Sequence, residues 1–245
     1  DSSTWGLYTF DFSSSSTYCA ETSLTTNGTS IVALASIVDY SSGEYNLDDT
    51  LKINWNVESG DGSWPGVFYI NEDNQGRSEP RSNVCADSGE QIFFVYQEDG
   101  PSINSRILAT YCKVDETTEY TDWDSSNVAV GTDYNCTYPD ISVTGDTAYV
   151  TYMVDKDGSQ DVYVAKSNSG FFWTKTAVAT TGADELYPVI SASGDKVVVM
   201  YIMDNDVYKV SSDDAGFSWS EPEQVNEVSG SVDDSYRSMD VYGAS

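Results

Sequence analysis

The apolar residues of this chain fall in short β-branched and aromatic bursts, divided by clusters of Gly, Asp, Asn and Ser. No stretch keeps helical spacing between capping residues, so the pattern predicts strands and turns. Two bursts repeat each other. Tyr138-Pro139-Asp140-Ile141-Ser142-Val143-Thr144-Gly145-Asp146 and Tyr187-Pro188-Val189-Ile190-Ser191-Ala192-Ser193-Gly194-Asp195 share Y-P-x-I-S-x-[ST]-G-D, 49 residues apart. Each is followed by an apolar run (Ala148 to Met153, Val197 to Ile202) and then an acidic turn (Asp155 to Gly158, Asp204 to Asp206). A third strand follows (Asp161 to Val164, Asp206 to Val210), and then Gly-Phe-x-Trp at Gly170 to Trp173 and Gly216 to Trp219. The same order is traced more loosely upstream, through Ile92 to Tyr96 and Arg106 to Cys112 to Trp123, and through Ile31 to Ala35 and Leu51 to Val57 to Trp64. The Gly in each first turn supplies the positive φ that tight hairpins require.

Four short strands at a period near fifty residues make the unit of a β-propeller blade. The expected fold is all-β: a single propeller domain over residues 1–245, of about five four-stranded antiparallel blades with one incomplete or shared. The repeat units are about 18–70, 80–130, 138–180 and 187–228, and residues 1–12 and 235–245 contribute to a further blade. Trp5 stands at the end of a blade whose earlier strands are not in the sequence, while Ser235 to Val241 resembles Leu186 to Ala192 and begins a new one. An open blade exposes unpaired backbone groups that invite strand addition. Three readings stay open: the protein continues past Ser245, neighbouring copies complete each other, or one blade is small and capped by loops.

At the tryptophans a family resemblance appears. Ser212-Asp213-Asp214-Ala215-Gly216-Phe217-Ser218-Trp219 resembles the Asp-box, S-x-D-x-G-x-x-W, of sialidases and related BNR-repeat propellers. The resemblance implies a turn between the third and fourth strands, with Ser212, Asp214, Gly216 and Trp219 in structural roles: the Asp bonds local backbone and the Trp packs between blades. A degenerate copy runs from Lys166 to Trp173, with Lys166 in the Ser place, Asn168 in the Asp place, and Gly170 and Trp173 retained. Family catalysis uses three arginines on a carboxylate, a Tyr nucleophile paired with Glu, and an Asp acid/base. This chain has four arginines, Arg77, Arg81, Arg106 and Arg237, and lacks the family's Arg-Ile-Pro motif.

Composition narrows the partners. Lys plus Arg is 11 against 40 Asp plus Glu, a net charge of −29, which repels phosphate backbones and anionic membrane surfaces. The longest apolar run, Ile31 to Val38, is too short to span a bilayer. The chain starts at Asp1 without an initiator Met, as a processed mature chain or an excised segment would. There is no His, so a catalytic role would fall to carboxylates and tyrosines. Cys19, Cys85, Cys112 and Cys136 lack C-x-x-C spacing; an even count in an extracellular chain favours one or two disulfides, with Cys85 the first candidate for a buried thiol. Sequons at Asn27 and Asn135 are candidate N-glycosylation sites.

Three groups of residues are candidates for ligand chemistry. Asp155, Asp157 and Asp161 have D-x-D-G spacing suited to calcium, although Asp and Gly equally make a hairpin turn. Tyr138, Tyr187 and Tyr236 recur at the start of innermost strands, where rings suit stacking on sugar or packing between blades. Arg81 and Arg237 open innermost strands in the same way. The leading expectation is a secreted, non-catalytic structural or adhesive subunit at the cell surface that self-associates by strand sharing. The alternatives are a glycan-binding, lectin-like propeller and a sialidase-related glycoside hydrolase.

Overall fold

A computed structural model describes residues 17–26, 31–39, 46–56, 68–69, 84–87, 91–100, 103–113, 124–237 and 239–243. Every regular element among them is a strand, and no helix there is long and apolar enough to cross a membrane. The strands form four four-stranded antiparallel sheets. Sheet 1 holds β1 (Thr17–Thr26), β2 (Ile31–Asp39), β3 (Asn46–Asn56) and β4 (Phe68–Tyr69). Sheet 2 holds β5 (Val84–Asp87), β6 (Gln91–Gly100), β7 (Ile103–Lys113) and β8 (Asp124–Ala129). Sheet 3 holds β9 (Asn135–Thr144), β10 (Thr147–Lys156), β11 (Ser159–Ser167) and β12 (Thr174–Ala179). Sheet 4 holds β13 (Leu186–Ser193), β14 (Lys196–Met203), β15 (Asp206–Ser212) and β16 (Glu223–Gln224). Each sheet is a meander in chain order, and the first strands neighbour one another: β1 lies beside β5, β5 beside β9, and β9 beside β13. First strands gathered on one axis, with later strands radiating outward, make this a β-propeller.

Period-two alternation explains why the sheets stack face to face. In β10, Ala148, Val150, Tyr152 and Val154 join Phe93, Val95, Ile107, Ala109 and Tyr111 in a core between sheets 2 and 3. The other face of sheet 3, through Tyr149, Val162 and Val164, meets Ile190, Val197, Val199, Tyr201 and Val210 between sheets 3 and 4. Both faces are buried, so these strands read as nearly continuous apolar runs. Cross-strand tyrosine pairs repeat as well: Tyr152 and Tyr163, and Tyr201 and Tyr208, stack with ring centroids 6.0 Å apart in each.

The acidic turns are two-residue hairpin turns. Asp157 (φ 57°) with Gly158 (φ 92°), and Asp204 (φ 52°) with Asn205 (φ 61°), place both central residues at positive φ, as type I′ turns demand. That geometry corrects the calcium expectation. Asp155 pairs with Gln160 and Asp161 with Val154, so Asp155 and Asp161 point to opposite faces of the hairpin while Asp157 sits in the turn. Among the described residues, no three His, Cys, Asp or Glu side chains are placed to hold a metal ion.

The Asp-box at Ser212 folds as the motif implies. Ser212 Oγ accepts the Gly216 N–H at 2.8 Å, and Asp214 Oδ1 and Oδ2 accept the Ser218 N–H and O–H at 2.8 and 2.6 Å. These bonds hold the exposed Asp214 carboxyl down at a pKa of about 2. The copy in sheet 3 is shifted by one residue from the sequence alignment. Ser167, not Lys166, takes the serine role, accepting the Gly170 N–H at 2.9 Å, and Ser169 Oγ, not Asn168, accepts the Phe171 N–H at 3.3 Å. The sheet 3 turn lacks an equivalent of Ala215, which moves the serine one place closer to the glycine. Trp173 packs on the core between sheets 2 and 3, where its Nε1–H donates to Ser126 Oγ and to the Gly170 carbonyl.

Two further expectations meet the structure differently. Cys112 and Cys136 are both buried thiols, not disulfide partners, and burial pushes the Cys136 thiol up to about 11. The segment expected to open a new blade, 235–237 and 239–243, carries no strand among its described residues. Trp5, Asn27, Trp64, Arg77, Arg81 and Trp123 lie outside the described residues, as do the side chains of Cys19 and Cys85.

Candidate functional site

The Y-P dipeptides are the local cause of the site. In sheet 3 the register between β9 and β10 shifts between the pairs Thr137–Met153 and Asp140–Thr151, and in sheet 4 the β13–β14 register shifts between Leu186–Ile202 and Val189–Met200. Each shift is a bulge carrying Tyr138 (φ 52°) or Tyr187 (φ 53°) in the left-handed region. A bulky residue is costly there, and such strain collects at functional sites. Side-chain acceptors meet the released amides: Tyr138 N–H donates to Gln97 Oε1 at 3.1 Å, and Tyr187 N–H to Met153 Sδ at 3.2 Å. The two half-buried rings meet edge to face, with centroids 4.9 Å apart at 84°. They mark the end of the axis where the first strands begin.

Asp140 follows Tyr138-Pro139 and faces the same region. Its Oδ2 accepts the Ile190 N–H at 2.7 Å, tying β9 to β13, and its Oδ1 lies 2.9 Å from Arg237 Nη2. Arg237 Nη1 also donates to the Pro139 carbonyl at 3.1 Å. Burial pushes the Asp140 carboxyl above the usual range, although Arg237 and the Ile190 N–H pull it down. Ser142 Oγ and Thr144 Oγ continue the seam, accepting the Ala192 and Gly194 N–H groups at 3.0 and 2.9 Å.

Arg237 reaches β9 because the chain after β16 folds back on Asp206. That carboxylate accepts Asn226 Nδ2, Ser229 Oγ and the Gly230 N–H at 2.6–2.8 Å, and Val232 N–H bonds the Asn205 carbonyl at 2.9 Å. Residues 233–237 are thereby delivered to the tyrosine mouth. Asp233 and Asp234 lie close enough to Tyr187 to help raise its phenol pKa, behind burial and Tyr138. Tyr236 is 57 % exposed on the same segment.

Sequence reasoning had the tyrosines and Arg237 at this mouth and missed Asp140. The one signal was that the variable position of Y-P-x-I-S holds Asp in one repeat and Val in the other. It also missed Glu185, which is fully buried two residues before Tyr187. Glu185 Oε1 accepts the Thr181 N–H at 2.9 Å and the Thr181 hydroxyl, while Oε2 and the Tyr201 OH are buried without a hydrogen-bond partner among the described residues. Burial, with Asp161 and Asp184 adding to it, raises the Glu185 pKa. A raised carboxyl contributes stability that is complete below the unfolded value of about 4.3 and is lost as pH rises through the folded value. Glu185→Gln is therefore expected to gain stability on the parent between acid and neutral pH, measured by urea unfolding at both. A parallel pH profile for the two proteins would contradict this.

Asn135 opens β9 half-buried, with its Oδ1 accepting the Ser105 N–H at 3.0 Å and the next residue, Cys136, buried. Its amide thus already ties the β7 hairpin to β9.

No family profile matches the chain, and no curated protein matches it. Solved structures do. A Penicillium chrysogenum alpha-L-arabinanase complexed with arabinobiose aligns with a TM-score of 0.61 at 13 % identity, covering 83 % of this chain and 65 % of that one. The phage phi92 endosialidase aligns at a TM-score of 0.56 and 10 % identity, over 84 % of this chain and 46 % of its own. The Trypanosoma rangeli sialidase in complex with the inhibitor DANA aligns at 0.52 and 11 %, over 81 % and 37 %. The chain thus spans under two thirds of the arabinanase and less of the sialidases. The fold is that of the sialidase-like propellers, shared with glycosidases.

Proposed function

We propose that this chain recognises a glycan at the axial end where Tyr138, Tyr187 and Arg237 meet. The observation that carries the reading is the tyrosine pair: two aromatic residues held at positive φ by matching bulges, beside an ion pair that fixes a guanidinium at the mouth. Aromatic faces suit the C–H faces of sugars, and Arg237 and Asp233 offer polar groups to orient hydroxyls. An extracellular or cell-surface setting fits such a ligand.

A second reading, glycoside hydrolysis, is favoured by Asp140, a carboxyl whose pKa is raised by burial beside the mouth, and by a scaffold shared with glycosidases. Hydrolysis ordinarily needs two carboxyl groups flanking the bond. Both Asp140 oxygens are engaged in structural contacts, so binding is preferred. Self-association through a shared blade draws on residues 1–12, which lie outside the described residues, and on 235–245, where the described residues 235–237 and 239–243 carry no strand.

The test is a glycan array with the parent and Tyr187→Ala, run beside turnover assays on aryl arabinofuranosides and sialosides. Binding to a defined glycan set, weakened about tenfold or more by Tyr187→Ala, is expected. Absence of binding across the array would sink the reading, and turnover abolished by Asp140→Asn would replace it with hydrolysis.

A further inference from the structure

The Asp-box end of the molecule, opposite the tyrosine mouth, holds a cleft that the repeat itself explains. The β6–β7 and β10–β11 ladders are equivalent position by position: Phe93 faces Tyr111 in the first, and Tyr149 faces Lys166 in the second. Each pair is the floor on which the next sheet's box turn lands. Gly170 lies against Phe93 and Tyr111, and Gly216 against Tyr149. Between sheets 2 and 3 that floor is solid, because Phe93 and Tyr111 stack with centroids 5.8 Å apart.

Between sheets 3 and 4 the ring at the Tyr111 position is replaced by Lys166, and the space is not filled. A cleft of about 350 Å³ opens there, lined by Tyr149, Lys166, Phe172, Thr174, Thr176 and Phe217. Lys166 Nζ donates to the Ala215 carbonyl at 2.8 Å and sits 4.5 Å from the Phe217 ring centroid. The carbonyl takes one of the three ammonium protons and leaves two for a ligand. The rim is aromatic and open: Phe172 is 77 % and Phe217 83 % exposed. Phe172 is braced edge to face by Phe171 at 4.7 Å.

We infer that this cleft is a second binding site, for an anionic sugar unit whose ring lies on Phe172 and Phe217 and whose carboxylate meets Lys166. Three features select that class. The volume is at the small end of ligand pockets and suits one sugar ring. Apolar ring faces beside two threonine hydroxyls match a ligand with one C–H face and several hydroxyls. The fixed Lys166 cation favours an acid over a neutral sugar at contact range, against the repulsion of a chain of net charge −29. Asp195, close enough to Tyr149 to help raise its phenol pKa, opposes the anion and keeps the affinity modest.

The site is separate from the tyrosine mouth and does not depend on it. The probe is tri-galacturonate, with neutral galactotriose as its control, titrated into the amide-labelled protein and followed by NMR. Shifts centred on Lys166, Phe172, Thr176 and Phe217, with galactotriose bound about tenfold more weakly, are expected. Lys166→Tyr restores the pair that sheet 2 already uses, so it keeps the fold while filling the cleft, and it is expected to abolish the shifts. Phe172→Ala, at an exposed ring, should weaken binding without touching the floor. The inference is overturned if tri-galacturonate gives no shifts in the cleft, if its shifts fall only at Tyr138 and Tyr187, if galactotriose binds equally, or if Lys166→Tyr leaves the titration unchanged.

Discussion

Asp140→Ala is expected to destabilise the protein by about 3–5 kcal/mol, the cost of stripping one partner from a buried charged pair. The substitution leaves the Ile190 N–H without its acceptor at 2.7 Å and Arg237 without its anion at 2.9 Å, both at the junction of β9 and β13. The effect is larger than the loss of a surface ion pair because Asp140 is only 7 % exposed. Asp140→Asn keeps an acceptor for Ile190 and loses only the charge, so it should cost distinctly less. Urea unfolding of the three proteins measures this. A loss below about 1 kcal/mol for the alanine variant would show that solvent reaches the pair freely.

Gly170→Ala is expected to cost about 3 kcal/mol, combining left-handed backbone strain with overpacking. Gly170 has φ 73°, and a Cβ there would stand 3.0 Å from ring atoms of both Phe93 and Tyr111. Those rings are stacked on each other and buried, so neither can swing aside. Gly216 is the internal control. It has φ 82°, but its added Cβ would meet Tyr149 at an ordinary 3.5 Å over the open cleft, so Gly216→Ala should cost about 1–2 kcal/mol from strain alone. Equal losses at the two glycines would contradict the solid floor in one interface and the open floor in the other.

Much of the architecture was legible because its signals are local. The Y-P-x-I-S repeat marked first strands, Gly145 and Gly194 marked their hairpins, and the Asp-box at Ser212 marked the turn into the last strand. What failed did so for identifiable reasons. Asp155, Asp157 and Asp161 look adjacent in sequence, yet the two-residue period of a strand sends Asp155 and Asp161 to opposite faces. Alignment on Gly170 and Trp173 put Lys166 in the serine place, because sequence cannot show that the turn is one residue shorter; the ladder pairs Ser167 with Ala148 as Ser212 pairs with Val197. A cysteine count says nothing about distance, so burial of Cys112 and Cys136 as thiols was not foreseeable from parity.

The candidate site was half legible. Tyr138 and Tyr187 were visible as repeats, but their positive φ was not, since nothing in Y-P announces a bulge. Asp140, Glu185 and Lys166 share one property: each departs from what the equivalent position of a neighbouring repeat holds or requires. Their importance appears only when cross-strand register makes positions comparable. Arg237 lies 98 residues from its Pro139 partner, a contact set by the fold around Asp206 and by no sequence motif.

The most direct measurement is a crystal structure of the chain grown with a glycan identified on the array. Glycan recognition at the mouth predicts density for the sugar against the Tyr138 and Tyr187 rings, with a polar contact to Arg237. A bound sugar that leaves both rings bare and solvated would contradict it.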